Sequence, residues 1–133
     1  MNQRFIRVLM VEPMRYPKTV YLESTMSSLR SAVSIGCDEL CEAKAKKLEK
    51  GIYAIFNQDM YYYDLQGNRK IGKDIIAGIF YVLATDANHH PQSLSDNELQ
   101  KYLNKFWEPE HFTYEDIIES MFNEIDVFLR EFE

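Results

Sequence analysis

Two cysteines and two adjacent histidines are the first residues whose types could do chemistry. Cys37 and Cys41 form a C-x3-C pair, and with His89 and His90 they supply the four soft and borderline donors that a structural zinc site needs. The spacing is poor, because neighbouring histidines rarely turn both rings onto one metal and the usual H-x3-5-H separation is absent. A pair of reduced, buried thiols and a solvent-facing His-His loop fit these residues better. A nucleophilic cysteine needs a nearby base and a depressed pKa, and nothing local to either thiol offers them. There is no phosphate-binding glycine loop, no G-x-S-x-G, no HExxH and no carboxylate pair that stands out from the acidic background. The residues therefore predict a protein that is not an enzyme and holds no catalytic residue, metal or cofactor.

Stacking and charge are the remaining chemistry. Met60-Tyr61-Tyr62-Tyr63 could stack bases, with Tyr21, Tyr53 and Tyr81 adding to a tyrosine-rich surface. Lys44, Lys46, Lys47, Lys50, Arg69, Lys70 and Lys73 would supply the phosphate contacts. The basic interleaving is thin and the chain carries a formal net charge of −6, so amphipathic tyrosines closing the edge of a small core are the better reading. The charge is also lopsided: residues 1–73 hold 12 Lys/Arg and 8 Asp/Glu, whereas residues 74–133 hold 3 and 13. Such asymmetry marks either an electrostatic partner or solvated helix faces.

The elements that would position these groups follow from hydrophobic period and punctuation. A chain of 133 residues, 46% hydrophobic and 14% aromatic, has the size and composition of one packed domain. The apolar run at 5–11 contains Arg7 and is too short for a secretory leader or a membrane span, which predicts a cytoplasmic protein. Residues 4–11 alternate as a strand, with Ile6, Val8 and Met10 opposite Phe5, Arg7, Leu9 and Val11. Pro13 and Pro17 break it, and 18–23 returns as an antiparallel strand. Ser24 is the expected N-cap of a helix over about 25–35 that stops at Gly36. Residues 37–48 are ambiguous: Leu40, Cys41, Ala45 and Leu48 share a helical face, yet Cys41, Ala43 and Ala45 also alternate with Glu42, Lys44 and Lys46. Residues 52–58 read as a strand, 59–73 as a loop turning at Gln66-Gly67-Asn68, and 74–84 as one strand interrupted by Gly78. Ser95 and Glu98 form a capping box for a helix over 96–107, whose stripe is Leu99, Tyr102, Leu103, Phe106 and Trp107. Thr113 and Asp116 cap a last helix at about 114–131. Its broad apolar face runs from Tyr114 through Ile118, Met121, Ile125 and Phe128, and from Glu108 onward nine acids accompany the single base Arg130.

The stretches "FIRVLMVEP", "GIYAIFNQD", "GNRKIG", "DIIAGIFYVLATD" and "LSDNELQKYLNKF" resemble domain-of-unknown-function family 3846 (DUF3846). These are small proteins of plasmids, conjugative transposons and phages of Gram-positive bacteria. The resemblance covers about residues 4–107 and is most specific at Asn68-Arg69 and Asp74–Gly78. It implies a mobile-element context but brings no established activity. The family's segment before Gly51 is a strand, which implies a β-hairpin with strands near 40–47 and 52–57, whereas local propensity favours a short helix in 37–48, and both readings stay open. Two departures are about five extra residues between Gly36 and Gly51, and the segment from Thr113, which lies beyond the resemblance.

The resemblance also marks Asn68, Arg69 and Asp74. Asn68 tolerates a positive φ in a turn after Gly67. Arg69 could clamp a carboxylate or phosphate, and Asp74 could pair with Arg69 or Lys70 or cap the loop. A turn held by a salt bridge and a ligand or partner site are both open readings of these three.

The expectation is a single α+β domain over 1–133, made of a family-like module at 1–107 and an acidic amphipathic helix at 113–133. An antiparallel-rich sheet of about five strands carries helices 25–35 and 96–107 on one face, with the C-terminal helix covering the other. Gly78 is expected to be a packing notch for a large ring or a close helix. The expected function is protein binding to a host or element-encoded partner, with Glu115, Asp116, Glu119 and Glu124 forming a ridge that could mimic nucleic acid. A homodimer through the C-terminal helix is a further expectation, and no membrane partner is expected. Nucleic acid is disfavoured as a partner, and a nucleic-acid-binding module using the basic N-terminal half is the alternative.

Overall fold

A computed structural model describes residues 4–130, with side chains described to Asn123 in the last helix. The chain is α+β, as the pattern predicts. In order, the described elements are β1 (Phe5–Val11), β2 (Lys18–Glu23), α1 (Met26–Val33), β3 (Ala43–Glu49), β4 (Ile52–Asn57), β5 (Gly67–Ile71), β6 (Asp74–Ala77), β7 (Phe80–Thr85), β8 (Pro91–Gln92), α2 (Asp96–Lys105) and α3 (Tyr114–Arg130). The main sheet runs β2-β1-β7-β4-β3, with β8 beside β7, and β5-β6 form a separate ribbon. Every pairing is antiparallel. The ambiguous segment before Gly51 resolves as β3, the hairpin partner of β4.

Alternation makes both faces of the main sheet apolar. Leu9, Val11, Phe56, Phe80 and Val82 share one cluster with Tyr102 of α2, with Phe106 at its C-cap, and with Ile71 and Ile76 of the ribbon. Ile6, Val8, Ile55, Tyr81 and Leu83 share another with Leu29, Ala32 and Val33 of α1. Helices α1 and α2 thus lie on opposite faces, not on one face as the sequence suggests. Arg7 shows why. It points to the Leu9 side of β1, and its Nη2 donates to the Leu94 carbonyl at 2.8 Å and to Asp96 Oδ1 at 2.7 Å, which draws the start of α2 onto that face. The second cover of the sheet is therefore supplied by α1. Each residue such as Val8 or Phe80 buried in these clusters contributes about 1.5–3 kcal/mol.

Local chemistry shifts three expected boundaries. Ser24 closes the β1-β2 hairpin through its amide and the Arg4 carbonyl (2.8 Å). Thr25 is the N-cap of α1 instead, accepting from the Ser28 amide at 3.1 Å. The segment 67–71 is a strand, not a turn, and Asn68 does not take a positive φ. The chain reverses at Gly72-Lys73, between the paired residues Ile71 and Asp74. The expected strand at 74–84 is two strands, because Gly78 adopts φ +78° and its amide donates to the Gln66 carbonyl at 2.7 Å. Both capping boxes form: Ser95 with Glu98, and Thr113 with Asp116 at 2.8 and 3.1 Å. Each cap contributes about 1 kcal/mol. Trp107 leaves the α2 stripe and stacks on Tyr16, centroids 4.7 Å apart, at the surface.

Candidate functional site

Asn68 and Arg69 lie side by side in β5 and are fully buried. The Asn68 amide nitrogen donates to the Val11 and Gly78 carbonyls, both at 2.8 Å, and so ties β5 to β1 and to the kink before β7. Arg69 spreads its guanidinium over three parts of the chain. Nε donates to the Phe106 carbonyl at 3.1 Å, Nη1 to Asn68 Oδ1 at 2.9 Å, and Nη2 to the Arg15 carbonyl at 2.8 Å. Burial lowers the guanidinium pKa from its ordinary value, while the charges of Glu110 and Glu108 oppose that. The cation is thus solvated mainly by carbonyl dipoles, and each of its three nitrogens donates within the fold. Asp74 stands elsewhere, at the ribbon's turn, where it accepts from Lys46 Nζ at 2.7 Å rather than from Arg69 or Lys70. The three residues form two separate ties, both structural in geometry.

The thiols and histidines are also apart in role. The Cys37 thiol accepts from Asn57 Nδ2 at 3.2 Å, and its pKa is raised by burial and then by Cys41. That is the opposite of nucleophile activation. His89 packs edge-on to Tyr53, with centroids 6.3 Å apart. Among the described residues no group of three or more His, Cys, Asp or Glu side chains comes together as a metal cage.

Helix α3 lies outermost, over the ribbon. Ser120 is buried and joins two elements: its hydroxyl accepts from the Ile75 amide at 3.0 Å and meets the Tyr61 hydroxyl at 2.9 Å. On the other edge of the ribbon the Lys70 amide donates to Glu110 at 3.3 Å. Lys70 and Ile75 are cross-strand partners, so both outward amides of this pair are closed by the segment that carries α3. Gly67 completes the fit. A Cβ there would stand 2.9 Å from Ile117 Cδ1 and 3.0 Å from Phe112 Cδ2.

The outward side of α3 is different. Tyr114 is 72% and Phe122 58% exposed, and Glu115 and Glu119 are exposed between them. Asp116 turns back to the Thr113 amide, which holds its carboxyl below the usual range. The side chain of Glu124 lies outside the described residues. Beside the inward side is a cleft of about 250 Å³ where Lys70, Lys73 and His111 stand with Asp116 and Glu119. Sequence reasoning marked the acids, but it missed Ser120, Glu110 and Gly67, which orient the helix. A lone serine on an apolar helix face was the one available signal.

A layered α+β domain is thus defined, tied by a buried asparagine–arginine knot and bearing an outer helix with an aromatic-acidic face. Residues 6–107 match the family described as Domain of unknown function (DUF3846), and the chain belongs to that family. Helix α3 lies beyond the matched residues. No curated protein and no solved structure matches the chain. No helix among the described residues is long and apolar enough to cross a membrane.

Proposed function

We propose that the chain is a non-enzymatic protein-binding module of a mobile element and that the outward face of α3 is its contact surface. The partner is a basic host or element-encoded protein, whose nucleic-acid site the acidic ridge occupies. The observation that carries this reading is the exposure of Tyr114 and Phe122 among Glu115 and Glu119 on a helix whose other side is docked. Aromatic rings are favoured anchors at protein interfaces, and surrounding carboxylates set partner choice and association rate. Asp116 contributes to the cap rather than the ridge.

The test is capture from the source cell followed by binding of the purified partner. The expected partner is basic, and Tyr114→Ala/Phe122→Ala loses it. A partner bound equally well by that variant would overturn the reading. Self-association through α3 is a second reading, separated by light scattering of the full chain and of a truncation after Glu110. Nucleic-acid binding has less support: Arg69 is buried, Lys46 is paired with Asp74, and Lys70 and Lys73 share their cleft with Asp116 and Glu119. Retardation of an RNA or DNA oligonucleotide in a low-salt gel would favour it.

A further inference from the structure

The main sheet ends at β3, whose outer edge has no neighbouring strand among the described residues. Its register fixes which backbone groups face outward. The Gln58 amide donates to the Glu42 carbonyl at 2.9 Å, one step before the Ala43–Asn57 pair. Antiparallel ladders alternate bonded and non-bonded pairs. Lys44 and Lys46 therefore turn their peptide groups toward β4, while Ala43, Ala45 and Lys47 turn theirs outward. Ala43 and Ala45 have small side chains, so no bulky group crowds the backbone at these outward positions.

A mostly apolar cleft of about 230 Å³ adjoins this edge, bounded by Met26 and Leu29 of α1, by Ala45, and by Tyr53, Ile55 and Leu83 of the sheet. Directly opposed residues on adjacent strands share a face. Residues of an added strand opposite Ala43 and Ala45 would thus point into the cleft. Lys44, Lys47 and Lys50 are exposed along the same edge and make no ion pair within the described residues. A second copy of β3 would bring its own lysines against these, and edge lysines are a known barrier to self-pairing.

We propose that the β3 edge and its cleft receive an extended acidic segment of a partner protein, which adds to the sheet as a further strand. Its apolar side chains enter the cleft opposite Ala43 and Ala45, its alternate carboxylates meet Lys44 on the other face, and Lys47, on the cleft side, and Lys50, at the turn, add positive charge at the end of the edge. Strand addition of this kind takes affinity from main-chain hydrogen bonds and specificity from pockets for alternate side chains. The surface lies on the α1 face of the sheet, and the inference does not rest on the reading of α3.

The probe is a capped octapeptide of alternating valine and glutamate, titrated into the full chain by heteronuclear NMR. The expected result is saturable shifts at Ala43–Lys47, Tyr53 and His89, with slower exchange of the Ala43 and Ala45 amides. Ala45→Pro removes an outward amide without touching the β3-β4 ladder and should weaken binding at least tenfold. If that variant does not fold, Lys44→Glu/Lys47→Glu carries the test, with the same expected loss. Equal binding of a valine–lysine peptide would overturn the proposal. So would shifts confined to other surfaces, or a concentration-dependent dimer protected at β3, which would give the edge to a second copy.

Discussion

Arg69 sets the strictest condition at the scale of single residues. It is a fully buried cation whose bonds reach the Phe106 and Arg15 carbonyls and Asn68. Arg69→Ala leaves buried carbonyls unpaired and should cost about 3 kcal/mol, measured by denaturant unfolding. Arg69→Lys should recover little of this, because an ammonium cannot span the same three directions. Tyr81 makes a pH prediction. Burial pushes its hydroxyl pKa from 10.0 up to about 12, and it donates to the Ala32 carbonyl. A pKa raised in the folded state means that stability is intact below the unfolded value and falls as pH rises through this window. Unfolding should therefore become easier between pH 10 and about 12, less so in Tyr81→Phe, as followed by circular dichroism. The resemblance marked Asn68 and Arg69 as special, but a sequence alone could not decide between a clamp for a ligand and a clamp for the fold. That choice depends on carbonyls far along the chain, at Val11, Arg15 and Phe106.

Among the elements, the ribbon and α3 depend on each other. Ser120 closes the Ile75 amide and Glu110 the Lys70 amide. Ser120→Ala should cost about 1 kcal/mol and speed hydrogen exchange at Ile75 while leaving β1, β4 and β7 protected. Gly67 and Gly78 divide the role that the sequence assigned to Gly78 alone. Gly67 is the notch against which Phe112 and Ile117 pack, and Gly78 is a kink at φ +78° that also brings its backbone against Leu65. Gly78→Ala should cost about 1–3 kcal/mol from backbone strain. Adding Leu65→Ala should not rescue it, because only the contact with Leu65 Cδ1 is relieved. A double variant restored to the wild-type melting temperature would contradict this. The alternating strands and both later capping boxes were legible in the sequence because period and cap chemistry are local, whereas the strand before Gly51 came only from the family resemblance, its local period being ambiguous. The division of 74–84 and the placement of α1 and α2 on opposite faces were not legible. They are decided by the Gly78–Gln66 and Arg7–Leu94 contacts between distant segments.

The molecule as a whole is electrically divided, with basic residues concentrated before Asp74 and acids after it. The fold turns that division into separate surfaces: exposed Lys44, Lys47 and Lys50 at the β3 edge, and Glu115 and Glu119 beside Tyr114 and Phe122 on the outer helix. The charge asymmetry and the amphipathic C-terminal helix were readable from composition and spacing. Which of that helix's apolar residues are docked was not, because Ile117 meets Gly67 whereas Tyr114 and Phe122 face outward. The central claim is that this outward face binds a basic protein. The most direct measurement is calorimetric titration of the purified partner into the full chain at low and high salt, repeated with Tyr114→Ala/Phe122→Ala and with Glu115→Gln/Glu119→Gln/Glu124→Gln. The account predicts affinity that falls with salt, at least tenfold loss in the aromatic variant, and weakened salt dependence in the neutralised one. Affinity unchanged by both sets of substitutions and indifferent to salt would contradict it.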